Sequence, residues 1–234
     1  MSSWRRARRL KLYGAVIFDC DGVLVDSEKL ALEVELEVLA ELGLTFERAD
    51  YVNRFMGLST DAFHRALDAD AQARLGRSIA QEVRGSERLR QVMIAHLTEV
   101  PGATAAVTAL RLPKAIASSG SRQGLERKLK QVGLWDHFAP HVYSADHVAE
   151  AKPAPDLFLH AAAALGVAPA DCLVIEDSVN GVLAGRAAGM TVWGFLGGGH
   201  VHDGLPARLT DAGAQCIVAD WPEAARQLEA ALAV

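Results

Sequence analysis

Six short apolar runs recur along this chain of 234 residues. They are Tyr13–Phe18, Lys114–Ser118, His141–Ser144, Cys172–Glu176, Thr191–Phe195 and Gln215–Ala219. Their length and β-branched content predict buried strands. Helix-like segments lie between several of them. Ser121–Val132 runs into Gly133, Asp156–Leu165 into Gly166, and Val179–Ala188 into Gly189. Each glycine stands where a helix terminus needs a left-handed residue. Strands alternating with short helices predict an α/β fold whose parallel sheet is covered on both faces. Right-handed crossovers then place a ligand crevice beyond the carboxyl ends of the strands.

One block interrupts the alternation. Residues 29–97 have helical composition and no clear buried strand. Leu32-Glu33-Val34-Glu35-Leu36-Glu37-Val38 alternates as a strand would. Its richness in Leu, Glu and Ala, its length and the following Gly43 favour a helix over Ala31–Leu42. Asp61–Ala69 and Ala80–Leu97 also read as helices. The chain therefore divides into a core of residues 1–28 and 98–234 and a helical insert of residues 29–97.

Composition narrows the function. Half the residues are hydrophobic and the net charge is -5, so the chain can bury a core but lacks the basic surface that nucleic acid requires. Cys20, Cys172 and Cys216 are odd in number and far apart, which fits neither a disulfide framework nor a zinc finger. Reduced thiols point to a cytoplasmic location. The uncharged stretches Leu157–Ala170 and Ala187–His202 are too short and too interrupted to span a membrane. Met1–Gly14 is basic but leads into Asp19 and Asp21 rather than the apolar core of a signal peptide. A frayed tail is expected there, with an organelle transit peptide as the alternative.

The first run ends in Asp19-Cys20-Asp21-Gly22. Continued strand geometry points both carboxylates to one side. At about 4 Å they repel by roughly 4 kcal/mol at an effective dielectric of 20. A cation between them, or a proton on one, removes that cost. The first option gives an oxygen-ligated magnesium site, the second a general acid beside a nucleophile. Glu176-Asp177 leaves another apolar run in the same way. Four carboxylates at one sheet edge favour Mg²⁺ over zinc. Ser119 and Gly120 end a strand just before a helix, where a hydroxyl and free N–H groups suit a phosphoryl oxygen, although Ser121 alone suffices as a helix cap. Lys152 lies between two strand–helix units in a loop stiffened by Pro153 and Pro155, and can neutralise both Asp19 and a bound phosphate. Asn180 and Gly181 open the helix after the second acidic pair. His200 and His202 sit in Gly197-Gly198-Gly199-His200-Val201-His202-Asp203 and read as an exposed glycine-rich loop.

Asp19-Cys20-Asp21-Gly22-Val23-Leu24-Val25-Asp26-Ser27-Glu28 resembles the first motif of the haloacid dehalogenase superfamily, in its phosphatase and phosphomutase branch. Ser119-Gly120-Ser121, Lys152-Pro153-Ala154-Pro155-Asp156 and Val174-Ile175-Glu176-Asp177-Ser178-Val179-Asn180-Gly181 resemble the second, third and fourth motifs, in the family's order. A helical insert directly after the first motif is similar to the mobile cap of the branch that includes β-phosphoglucomutase. The resemblance implies a Rossmann-like core with a small all-helical cap. It implies Mg²⁺-dependent removal of phosphate from a small metabolite, a sugar or polyol phosphate, through an aspartyl-phosphate. Asp19 is then the nucleophile and Asp21 the general acid and base. Ser119, Gly120, Lys152 and Asn180 contact the substrate. Asp19, the Asp21 carbonyl and Asp177 hold the metal, with Glu176 as a ligand or just behind one. A monomer is expected, with a dimer as the alternative.

Three rivals use similar parts. A phosphomutase returns the phosphoryl group to sugar, but the mutases carry a lysine, an arginine and a histidine where Met56, Thr60 and Ala31 stand here. A true haloacid dehalogenase lacks an acid at the position of Asp21. A non-enzymatic phosphorylation switch of the receiver type is about half this length, has no cap, and its lysine follows its acids.

Overall fold

The computed structural model describes residues 13–55, 60–79, 82–83, 91–92 and 95–232. The sheet contains β1 (Ala15–Phe18), β2 (Lys114–Ser118), β3 (Val142–Ser144), β4 (Cys172–Glu176), β5 (Thr191–Phe195) and β6 (Cys216–Val218). All pairings are parallel and the order is β3-β2-β1-β4-β5-β6. The chain winds outward from β1 to β3, then crosses back to β4 beside β1. That reversal opens a crevice at the carboxyl ends of β1 and β4.

Side-chain alternation fills both faces. Val16 and Phe18 of β1 join Leu173 and Ile175 of β4 in one apolar cluster, with Trp221 and Leu228 from α10 (Trp221–Leu232). Ala15 and Ile17 join Cys172 and Val174 on the other face. That second face is covered by α7 (Asp156–Leu165), α8 (Val179–Ala187) and α9 (Leu205–Asp211). Period-two strands buried on both sides carry apolar residues at every position, which is why these runs lack a polar stripe.

Between β1 and β2 lie α1 (Ser27–Glu41), α2 (Arg48–Phe55), α3 (Thr60–Leu75) and α4 (Ala103–Ala109). The strand-like alternation in α1 gives way to its helix-forming composition. Leu32 and Leu39, two turns apart, enter a separate cluster with Tyr51, Phe55 and Leu67. Helix α2 has no counterpart among the expected elements. The expected helix Ala80–Leu97 falls mostly outside the described residues, as do the basic tail up to Leu12 and the segment Met56–Ser59. The segments entering and leaving the helical block pair with each other. Asp26 N–H donates to the Thr98 carbonyl at 3.0 Å, and Val100 N–H to the Leu24 carbonyl at 2.9 Å.

The remaining helices of the core are α5 (Arg122–Gln131) and α6 (Trp135–Phe138). Ser121 caps α5, accepting from Gly124 N–H at 3.2 Å. Among the described residues no helix is long and apolar enough to cross a membrane.

Trp221 ties α10 to the loop after β1. Its indole N–H donates to the Val23 carbonyl at 3.0 Å, and its ring lies 4.8 Å from that of Phe195. The Trp221→Phe variant keeps most of the ring and leaves that buried carbonyl without its donor. Urea unfolding should show a loss of about 1–3 kcal/mol. A loss near zero would mean that the bond contributes nothing net.

Candidate active site

Parallel pairing of β1 with β4 sets Phe18 against Ile175. The next residues, Asp19 and Glu176, therefore leave adjacent strands at one level. Asp19 N–H donates to the Ile175 carbonyl at 3.0 Å. Asp19 is 7% exposed, Asp177 6% and Glu176 1%.

Lys152 lies among them. Its Nζ is 2.6 Å from Asp19 Oδ1 and 2.7 Å from Glu176 Oε1, and sits 4.8 Å from the centre of the Phe158 ring. Burial works against this ammonium, but Asp19 and Glu176 outweigh it and hold its pKa above the ordinary lysine value. The second Glu176 oxygen, Oε2, accepts from Ser178 N–H at 2.7 Å and the Ser178 hydroxyl at 2.9 Å. Both oxygens of Glu176 are thus occupied by protein. A Cβ at Gly181 would lie 1.6 Å from Oε1, so only glycine leaves this carboxylate its place.

Asp21 is handled separately from Asp19. Its Oδ1 accepts from both the Ser27 hydroxyl and the Lys128 ammonium. Burial opposes the Lys128 charge, yet Asp21 raises its pKa. Ser118 and Gly120 form the opposite wall, with Gly120 N–H donating to Ser118 Oγ at 3.2 Å. Ser119 is exposed at this wall.

These groups line a cavity of about 390 Å³. Its walls include Asp19, Asp21, Ser119, Gly120, Asp177 and Asn180, so the structure brings together the residues singled out in the four motifs. Lys152 lies beneath, bonded to the floor. The size suits a small metabolite.

The carboxylates also form a cradle for a hard cation. A Cβ at Gly22 would fall 1.8 Å from Asp177 Oδ2, so Asp177 lies directly against the Asp21–Gly22 backbone. Burial raises the pKa of Asp177, with Glu176 and Asp19 adding to it. Burial likewise raises that of Asp19, against the pull of Lys152. A bound cation would offset this burial cost for both carboxylates. Among the described residues, no three His, Cys, Asp or Glu side chains close on one point. The expected ligands, the Asp19 and Asp177 carboxylates with the Asp21 carbonyl, are hard oxygens, the donor type that Mg²⁺ takes.

Two contributors were not evident beforehand. Lys128 is one of several basic residues on α5 and has no motif around it. Its spacing from Leu125 and Leu129, both buried, was the only signal that it faces inward. His200 corrects an expectation. It is not an exposed loop residue but 8% exposed, with Nε2 3.2 Å from Asp177 Oδ2. Burial lowers its pKa.

Comparisons with known proteins supply the family. A family model described as haloacid dehalogenase-like hydrolase matches residues 13–189. The 6-phosphogluconate phosphatase of Escherichia coli is 29% identical over 186 residues, covering 80% of this chain and 84% of its own. Hexitol phosphatase B of Escherichia coli is 34% identical over 186 residues, covering 75% and 80%. A family hydrolase from Deinococcus radiodurans, solved with bound phosphate and sodium, superposes with a TM-score of 0.83 at 37% identity, over 94% of this chain and 96% of that one.

The Gly181→Ala variant tests the Glu176 cradle. Glu176 must leave Ser178 and Lys152 to make room, and overpacking of this kind costs about 1–3 kcal/mol. We expect a lower melting temperature together with a fall in turnover of at least about tenfold, one decade per 1.4 kcal/mol. Wild-type turnover would show that Glu176 need not hold Lys152.

Proposed function

Because the chain belongs to the haloacid dehalogenase-like hydrolase family, as one of its phosphatases, we propose that it hydrolyses a small phosphorylated sugar or polyol in a Mg²⁺-dependent reaction through an aspartyl-phosphate. The observation that carries this reading is the separation of the two aspartates. Asp19 is buried and paired with Lys152, whereas Asp21 is held apart by Lys128 and Ser27.

Asp19 has one carboxylate oxygen on Lys152, which leaves the other to attack phosphorus in line. As the P–O bond to the alcohol breaks, Asp21 gives its proton to the leaving oxygen. Asp21 then takes a proton from water as that water attacks the acyl phosphate, releasing inorganic phosphate and restoring Asp19. Ser119 and the Gly120 N–H, once it leaves Ser118 Oγ, bind phosphoryl oxygens, and Lys152 neutralises charge that builds on them. Lys128 and Ser27 keep Asp21 aimed at the leaving group. Asp19, the Asp21 carbonyl and Asp177 would hold Mg²⁺, which would supply charge neutralisation in the transfer step. Glu176 positions Lys152 rather than binding the metal.

The names of the relatives support the substrate class. One acts on 6-phosphogluconate and one on hexitol phosphates, both small polyhydroxylated phosphates. We assign substrate choice to the insert of residues 29–97, read as a cap; the segments on either side of it pair at Leu24–Asp26 and Thr98–Val100. Closure of that cap excludes bulk water during the first step. Every group in this scheme comes from one chain, so a monomer suffices. Cys20, Cys172 and Cys216 form no disulfide, which suits a reducing cytoplasm.

Two measurements test the scheme. The Asp19→Asn variant keeps shape and loses the nucleophile, so phosphate release should fall on the order of 10³-fold or more while the protein stays folded. A variant retaining more than a few per cent, shown free of deamidation, would exclude the covalent route. Excess EDTA should abolish phosphate release from a panel of sugar, polyol and sugar-acid phosphates, and Mg²⁺ should restore it. The metal-loaded form should also melt higher, since a ligand of the folded state stabilises it. Full activity in chelator would point to a metal-free hydrolase.

A further inference from the structure

We infer that His200 is a positioning residue that fixes the Asp177 carboxylate for the metal, which makes the Gly197–Asp203 loop part of the catalytic apparatus. This deepens the proposed function and rests on its Mg²⁺ site.

The imidazole has little freedom. A Cβ at Gly22 would lie 2.7 Å from its Cε1, and a Cβ at Gly198 2.9 Å from the same atom. The ring is therefore wedged in a slot between two glycines, one from the loop after β1 and one from its own loop. A Cβ at Gly198 would also come within 2.6 Å of the Gly22 carbonyl oxygen, so the two backbones are close across the slot. The glycine-rich sequence serves this approach and not flexibility.

The loop is pinned from two further directions. Gly199 N–H donates to Asp26 Oδ1 at 2.9 Å, at the entry to the helical block. Arg48, on α2 within that block, donates to the Gly199 carbonyl at 3.1 Å. The Lys29 side chain packs so closely that a Cβ at Gly199 would lie 2.7 Å from its Cδ. The residue next to this anchor is the one that reaches Asp177.

The proton on the ring follows from its surroundings. Nδ1 is buried and without a hydrogen-bond partner among the described residues. A proton there would be an orphaned donor, and would leave the Nε2 lone pair facing a carboxylate. The tautomer with Nε2–H avoids both costs and turns its N–H toward Asp177, with Nε2 3.2 Å from Oδ2. That contact falls on the oxygen that lies against the Asp21–Gly22 backbone, so the imidazole and the backbone together fix the carboxylate. Hydrogen-bond partners of metal-binding carboxylates typically change metal affinity by about 10–100-fold when removed.

The test follows Mg²⁺ binding without turnover, through the melting temperature of the full-length protein as Mg²⁺ is raised. His200→Gln carries an N–H near the position of Nε2, whereas His200→Asn carries one nearer Nδ1. His200→Ala and His200→Asn should need about 10–100-fold more Mg²⁺ for half-maximal stabilisation, and His200→Gln should stay within a few fold of wild type. If His200→Ala binds Mg²⁺ as tightly as wild type, or His200→Gln binds no better than His200→Asn, the inference is overturned. The Gln and Asn pair decides even if the alanine variant fails to fold. No Mg²⁺-dependent shift in the wild type would bring down the metal site itself and this role with it. A normal wild-type shift with an unaffected alanine variant would remove only the role of His200.

Discussion

The buried ammonium of Lys152 is the contact on which the site depends. Parallel strands side by side at the point where the chain reverses bring Asp19, Glu176 and Asp177 together out of water. Like charges at such spacing repel by roughly 4 kcal/mol per pair at an effective dielectric of 20. Lys152 answers two of the three acids directly, at 2.6 and 2.7 Å. Asp177 is left to a histidine and, in the proposed scheme, to a divalent cation. In that scheme the net negative charge of the floor draws the metal, and the lysine keeps that charge from being prohibitive before the metal arrives.

Close approach matters as much as charge. Gly22 and Gly181 stand where any side chain would collide with Asp177 and Glu176. Each carboxylate lies against bare backbone, one beside the Asp21–Gly22 peptide and one over the first turn of α8. The two aspartates of the first motif consequently meet different partners although only one residue separates them. Asp19 turns to Lys152 in the sheet floor, and Asp21 turns to Lys128 on α5 and Ser27 at the start of α1. Two carboxyl groups of one short motif can hold different tasks because the tertiary contacts of each are different.

The parts of this protein legible in its sequence were those with a local cause. Buried parallel strands need unbroken apolar runs, so β2, β4 and β5 lie at the expected residues. Helix ends need left-handed glycine, so Gly133, Gly166 and Gly189 mark real termini, each with positive φ. Acids following such strands must gather at one edge of the sheet. Helix α2, by contrast, has a polar composition and is held by Tyr51 and Phe55 packing into a cluster with residues of α1 and α3 and with Leu44 and Ile79. Nothing local announces it.

By itself, then, the sequence determined the α/β architecture, the edge on which the acids collect and the motif residues that line the cavity, because strand period, helix capping and chain order are short-range properties. The tertiary structure alone decided the partners of Lys128 and His200, whereas the pairing of Lys152 with Asp19 was already legible. Lys128 meets Asp21 across 107 positions, and the glycine beside His200 meets Asp26 across 173. A lysine on an amphipathic helix and a histidine between glycines have the same local signature whether they face water or a buried carboxylate. Only the packing of distant elements removes the water and selects the carboxylate.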